Sequence, residues 1–339
     1  MFQPTEILII GVGSIGERHL RCFQGTGRAG LSFCEVNPVL RDRIAAQYGI
    51  ANAYPDLDAA LSDHHTAAVI CAPAHLHIPM ARKLAEAGIH LLIEKPLSTS
   101  LDGVEELRRS IAQRDLVAAV AYVHRAQPVL EAMKLALDSG RFGRPVELII
   151  QCGQHFPTYR PAYREIYYKD RATGGGAIQD ALTHMLNAAE WLVGPIDRVA
   201  ADAAHQVLDG VDVEDTVHVL ARHGALMASY SLNQHQAPNE VQLTVIGDRG
   251  TCRWEPHHNR WRWMAAPNDS WHDEPFDPLE RDALFVRQAN AFLDALEGRR
   301  LPLCSLDDAI QTLRVNLAVL AAAESQTWQQ VRCSEANDK

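Results

Sequence analysis

Long apolar runs are missing from this sequence of 339 residues. The best candidates, Leu116 to Val123 and Leu317 to Ala323, stop well short of the roughly 18 residues that cross a bilayer, so no membrane partner is expected. Paired cysteine motifs are missing too. Cys22, Cys34, Cys71, Cys152, Cys252, Cys304 and Cys333 are scattered and odd in number, without a C-x-x-C, the pattern of reduced thiols rather than of a disulfide framework. Positive charge is in deficit: Lys plus Arg number 32 against 42 Asp plus Glu, a formal charge of −10 with His neutral. That balance argues against a general binder of phosphate backbones, and no nucleic-acid partner is expected. The first residues, Met1 through Glu6, lack the basic n-region and small-residue cleavage site of a secretory signal, which together with the thiols gives a cytoplasmic expectation. Histidine is plentiful, but His64-His65, His75-x-His77 and His257-His258 lack the spacing and neighbouring carboxylates or cysteines of a zinc site, and no metal is expected.

What is present is an ordinary globular composition, 47% hydrophobic and 22% charged, on a chain long enough for about two domains. From Ile7 to about residue 124, short β-branched or apolar runs alternate with helical patterns, the βαβ rhythm of a parallel sheet. Strands are expected at Ile7 to Ile10, Leu31 to Val36, Ala67 to Cys71, His90 to Ile93 and Leu116 to Val123. After Arg125 and a helix from Pro128 to Ser139, longer alternating segments appear at Val146 to Gln151, Thr216 to Ala221, Ala225 to Leu232 and Val241 to Ile246. The fold class is therefore α/β: an N-terminal Rossmann domain over residues 1–124, then an α+β domain over 125–339 on an open, mainly antiparallel sheet. The C-terminal helices, near Leu279 to Leu296 and Ser305 to Ser325, are expected to pack back on the first domain or the sheet. Trp261 and Trp263 alternate as in a strand and read as sheet packing or an interface.

Three motifs carry chemistry. Gly11-Val12-Gly13-Ser14-Ile15-Gly16 is a G-x-G-x-x-G between the first strand and the first helix: Gly11 for the turn, Gly13 for the approach of a pyrophosphate, Gly16 for close packing of helix on strand. Glu35, 19 residues after Gly16 at the end of the second strand, suits the adenosine ribose hydroxyls and repels a 2′-phosphate. NAD is the expected cofactor; NADP stays open because Arg41 and Arg43 lie near. The second motif, Glu94-Lys95-Pro96, ends the strand His90 to Ile93, where ligands of open parallel sheets bind, and Lys95 there is either a nicotinamide-side ammonium or a plain surface lysine. His75, also beyond a strand's carboxyl end, is a further candidate beside the cofactor.

The third motif runs from Gly174-Gly175-Gly176 through Asp180 to His184. On a regular helix Asp180 and His184, four apart, share one face, and Asn187 joins them three residues on. That cluster is either a structural polar patch or the floor of a site. Just before it, residues 156–169 are rich in Tyr and Arg, and Tyr163 and Arg164 are candidate substrate contacts on a lid; an exposed loop or a subunit-spanning segment would have the same composition.

These three motifs, in this order and approximate spacing, resemble the glucose-fructose oxidoreductase, inositol 2-dehydrogenase and rhizopine-catabolism family, often written Gfo/Idh/MocA. The resemblance covers nearly the whole chain. It implies NAD(P)-dependent oxidation of a secondary hydroxyl on a sugar, sugar derivative or inositol, and a C-terminal sheet that often mediates assembly, here as a homodimer or homotetramer. It implies cofactor contacts from Gly11, Gly13, Ser14, Ile15, Gly16, Glu35, His75, Glu94 and Lys95, a Lys95 near the nicotinamide, and a cis bond before Pro96. Asp180 and His184 match the family's substrate-binding and proton-transfer pair, while Asn187 departs from an aspartate common among relatives. By this reading Lys95 stabilises an alkoxide, His184 acts as base, and Asp180 orients the imidazole or accepts from a substrate hydroxyl. The alternative is a nucleotide-binding regulator that keeps the fold and cofactor without turnover.

Overall fold

Ile7, Leu8, Ile9 and Ile10 have no polar face to offer water, and all four are buried in a strand with a parallel neighbour on each side. The structure is a computed structural model that describes residues 5–331, so Cys333 lies outside the described residues. The first alternation comprises β1 (Thr5–Ile10), α1 (Ser14–Thr26), β2 (Ala29–Cys34), α2 (Pro38–Tyr48), β3 (Ala53–Tyr54), α3 (Leu57–Ala60), β4 (Ala67–Ile70), α4 (His77–Glu86), β5 (His90–Ile93), α5 (Val104–Gln113) and β6 (Ala118–Val120). Its six parallel strands lie in the order β3-β2-β1-β4-β5-β6. The order reverses between β1 and β4, which opens a crevice at their carboxyl ends. Helix ends follow local chemistry. Asn37 caps α2 by accepting from the amides of Val39 and Leu40, Pro38 occupies the first turn, and Gly49 ends the helix at a left-handed φ of 66°.

The strand expected at Leu116 to Val123 is shorter than its apolar run. After β6 the Tyr122 amide turns back to the Val120 carbonyl, and Val123–Ala126 form a single 3-10 turn.

The second region continues with α6 (Pro128–Asp138), β7 (Pro145–Gly153), α7 (Phe156–Tyr159), a π-helical turn at Ile178–Leu182, α8 (Thr183–Val193), β8 (Arg198–Ala204), β9 (Thr216–His223), β10 (Leu226–Asn233), β11 (Glu240–Gly247), β12 (Gly250–Glu255), β13 (Arg260–Met264) and β14 (His272–Pro275). After them come α9 (Ala283–Leu296), α10 (Leu306–Ser325) and β15 (Gln329–Gln330). The sheet has nine strands in the order β14-β13-β12-β11-β7-β10-β9-β8-β15, antiparallel throughout except for the parallel pair β7 and β10. Alternation sets its two faces: Val217, Val219 and Ala221 of β9 point into the core, while His218 and Leu220 point out. Trp254 and Trp261 are cross-strand partners on the buried face.

Packing divides the chain into two compact units. Of the described residues, one holds those up to 126 with 279–310, and the other holds 127–278 with those from 311 onward. Residues 279–310, α9 among them, thus return to the first unit. The reason is apolar: Ala289, Phe292 and Leu293 of α9 are buried with Ile7, Ile9, Leu20 and Phe23 in one cluster, and Arg21 of α1 and Arg28, just beyond its end, pair with Asp282 and Asp294.

Candidate functional site

In the first unit the glycine loop shows which glycines the chain itself demands. Gly11 sits at φ 79°, and a Cβ on Gly16 would fall 1.8 Å from the Gly11 carbonyl oxygen, so both are fixed by the turn and by the closeness of α1 to β1. Gly13 is different: a Cβ there would meet nothing of the chain within 4 Å. The bare space at the N-cap of α1 therefore answers to something other than the chain's own packing, and a pyrophosphate at a helix N-terminus fits it. Ser14 and Ile15 form the first turn beyond it.

Glu35 lies at the end of β2 with its carboxylate fixed from two sides. Oε2 accepts from the Val12 amide of the glycine loop at 3.0 Å, and Oε1 from the Asn37 amide at 2.9 Å. An acid so held stands ready for ribose hydroxyls. Arg41 donates to the Glu35 carbonyl oxygen at 2.9 Å, whereas Arg43 turns to Glu17.

Beyond β4, His75 is exposed on a 3-10 turn, Ala74–Leu76. The buried histidine here is His77, which the sequence offers only as half of a rejected metal pair: Nε2 lies 2.7 Å from the Ala72 carbonyl oxygen and Nδ1 3.0 Å from that of Pro96. Burial lowers its pKa, against the pull of those carbonyls and of Glu94. The Lys95–Pro96 bond is cis, and Lys95 is partly buried. Glu94 was expected at the cofactor; its side chain instead points into the protein. Oε1 lies 2.7 Å from His19 Nε2 on α1, and Oε2 accepts the Lys95 amide at 3.0 Å. Burial would raise the Glu94 pKa, but the hydrogen bond and charge of His19, then the Lys95 charge, outweigh it and hold the pKa low. Glu94 thus ties α1 to the chain at Lys95. His124, just beyond the strand expected at Leu116 to Val123, is a further residue the sequence reading did not name. Burial first, then the positive charge of Lys95, pushes its pKa down to about 4, so it is neutral at pH 7.

In the second unit, Asp180 lies in the π-helical turn and the partly buried His184 in the first turn of α8. A regular helix was expected across both. The wider turn is held at its start by Glu214, which accepts the Ile178 amide through Oε1 and Arg171 through Oε2. π-turns of this kind are frequent at functional sites. Asn187 departs from the expected cluster: it is buried, and its Nδ2 donates to Thr312 Oγ1 on α10 at 3.0 Å. Thr312 in turn donates to Glu190 at 2.7 Å.

The lid expectation also changes. Tyr163 is buried with Phe156, Tyr168, Leu208, Val211 and Val213 in a small core, and its hydroxyl donates to the Asp209 carbonyl oxygen at 2.8 Å. Arg164 bonds that same oxygen at 2.8 Å. Both are engaged by the segment at Asp209, between β8 and β9, and the residue that 156–169 delivers to the cluster is Tyr167, whose hydroxyl donates to Asp180 Oδ1 at 2.6 Å. Sequence reasoning passed over Tyr167 because nothing local separates it from its tyrosine neighbours. Among the described residues no group of three or more His, Cys, Asp or Glu side chains is placed to hold a metal ion.

Known families match over both units. Residues 5–122 fit the oxidoreductase family with an NAD-binding Rossmann fold, and residues 130–253 the GFO/IDH/MocA C-terminal domain. The chain belongs to the GFO/IDH/MocA family. It is an NAD-binding oxidoreductase. It is 27% identical over 246 residues to a levoglucosan dehydrogenase of Pseudarthrobacter phenanthrenivorans, covering 64% of this chain and 62% of that enzyme. It is 24% identical to a UDP-N-acetylglucosamine 3-dehydrogenase of Acidithiobacillus ferrooxidans over 94% of this chain and 96% of the relative. A solved levoglucosan dehydrogenase in complex with NADH and levoglucosan shares the fold at a TM-score of 0.89 and 21% identity, covering 98% of this chain and all of that one, 100%.

Proposed function

We propose that this GFO/IDH/MocA protein oxidises a secondary hydroxyl of a sugar, sugar derivative or cyclitol. The observation that carries this is the pairing of an acid and an imidazole, Asp180 and His184, on one helical segment, with Tyr167 engaged on the acid. The named relatives act on such compounds by their names, which supports the same substrate class. The glycine loop at Gly11 to Gly16 and Glu35 would hold NAD, which would supply the acceptor for the hydride of the carbinol carbon. His184 accepts the hydroxyl proton, Lys95 offers positive charge to the developing alkoxide, and Asp180 engages a substrate hydroxyl or the imidazole. The products are the ketone, reduced cofactor and one proton. Glu35, held by Val12 and Asn37, favours NAD over NADP, with Arg41 at its carbonyl as the feature that moderates the preference.

Absorbance at 340 nm, read with NAD and separately with NADP against hexoses, glycosides, inositols, sugar acids and UDP-sugars, tests this directly. Growth with one substrate class, reduced by a factor on the order of 10³ in His184→Ala and in Lys95→Ala with NADH binding intact, is the expected result. Unchanged turnover in both variants removes the catalytic assignment, and silence with bound NAD favours a sensor.

The partner reading extends to a second copy of the chain. Leu220 and Met227, 56% and 57% exposed, lie on the outward face of β9 and β10, and Leu220 lines a cavity of about 600 Å³ together with Trp328. An apolar sheet face of this kind supports a homodimer or homotetramer through the nine-stranded sheet. Sedimentation should show a dimer or tetramer that Leu220→Asp with Met227→Asp converts to monomer. The six described cysteines are free thiols, which supports a cytoplasmic setting.

A further inference from the structure

The Gly174-Gly175-Gly176 turn has a use that its place before a helix does not reveal. A Cβ on Gly175 would lie 2.1 Å from the Tyr168 carbonyl oxygen and 2.8 Å from that of Asp170, so the glycine exists to let the 167–170 backbone lie directly on it. Hydrogen bonds fasten that contact: the Gly175 amide donates to the Asp170 carbonyl at 2.9 Å, the Gly176 amide to that of Tyr168 at 3.2 Å, and the Thr173 hydroxyl to that of Tyr167 at 2.8 Å. Tyr168 then faces inward, fully buried against Phe156 with ring centroids 4.5 Å apart, and its hydroxyl donates to Gln234. Its neighbour Tyr167 is thrown the other way, 41% exposed, with its hydroxyl on Asp180 Oδ1.

We propose that Tyr167 is the positioning residue for Asp180, a phenol docked by the triple-glycine turn that fixes the carboxylate's orientation toward the substrate hydroxyl. This rests on the placement of Asp180 in the substrate site. Charge explains the choice of a phenol. An O–H donor holds an ionised carboxylate without adding a positive charge that would compete for it, and such charge-assisted bonds are among the stronger ones. The phenol is also anchored through its backbone rather than by a flexible stem, so little rotamer freedom is left to lose when substrate arrives.

The test is a double-mutant cycle on the full-length protein, with the substrate that turns over in the 340 nm assay. Tyr167→Phe keeps the ring and removes only the hydroxyl; it should lower kcat/KM on the order of tenfold to a hundredfold, mostly in kcat, with NADH affinity and thermal midpoint unchanged. In an Asp180→Asn background the same change should cost less than about threefold, because there is no longer a carboxylate to orient. Tyr167→Trp, which fills the space without this hydroxyl, should not restore rate, and Gly175→Ala, if it folds, should reproduce the Tyr167→Phe loss. Full activity in Tyr167→Phe while Asp180→Asn is impaired overturns the proposal and leaves the site reading standing. Equal losses in both backgrounds overturn it as well, since Tyr167 would then act independently of Asp180. Undiminished turnover in Asp180→Asn, or no turnover with any substrate, overturns the site reading and this inference with it.

Discussion

Single side chains in this protein divide by whether a hydrogen bond can run in the required direction. Asn187 shows the point. Its amide donates to Thr312, whose own proton goes to Glu190, so the chain of donors ends on a carboxylate. Aspartate at 187 would put an acceptor where a donor is needed and a second negative charge near Glu190. Asn187→Asp should therefore cost about 1–3 kcal/mol of stability, read as a lower urea midpoint, while Asn187→Ser should cost less. If Asn187→Asp keeps its midpoint and loses only turnover, Asn187 belongs to the site after all. The sequence could not reveal this role: Thr312 lies 125 residues away, and a spacing argument along one helix sees only the residues of that helix. Glu35 was legible for the opposite reason, because strand, glycines and acid form one continuous local pattern.

At the level of elements, β1 and α1 with their glycine loop are specified locally, and the π-turn is not. The loop separates glycines by cause. Gly16→Ala brings a Cβ against the Gly11 carbonyl, backbone that cannot yield, and should cost roughly 2–3 kcal/mol together with NADH affinity. Gly13→Ala meets no atom of the chain and should stay within about 1 kcal/mol of the parent yet weaken NADH binding, measured by quenching of intrinsic fluorescence. Equal stability losses in the two variants would contradict the assignment of Gly13 to the cofactor. The π-turn at Ile178–Leu182 escaped the sequence because its supports, Glu214 and Tyr167, lie outside the helix, and helical periodicity carries no mark of the added residue. The same limit hid the inward and outward facing of Tyr168 and Tyr167, which Leu208, Val211 and Val213 help decide from another segment. β3 was missed because two residues are too few to alternate.

Over the whole molecule, the buried His77 and the partly buried His124 tie the fold to pH. His124 carries a folded pKa of about 4 against an ordinary value of 6.5, so the folded state binds fewer protons than the unfolded chain between those values. The stabilising effect of keeping it neutral is complete above pH 6.5 and is lost as pH falls toward 4, on the order of 3 kcal/mol. His77, also lowered, acts in the same direction. Urea midpoints should therefore fall between pH 7 and pH 4, and His124→Gln should flatten part of that slope; an unchanged slope would mean that His124 is not the titrating group.

The first unit is discontinuous, and this bears on how the protein is made. On a ribosome the six strands of the parallel sheet emerge in the first 120 residues, but the helix that buries Phe23, with its ring 6.4 Å from that of Phe292, emerges only after eight of the nine strands of the second sheet, β7 to β14, have been synthesised. Until then Leu20 and Phe23 lack their cover. A nascent chain of this protein therefore spends the translation of some 160 residues, β6 to α9, with a sticky half-built nucleotide domain, and a fragment ending near residue 126 inherits that defect permanently.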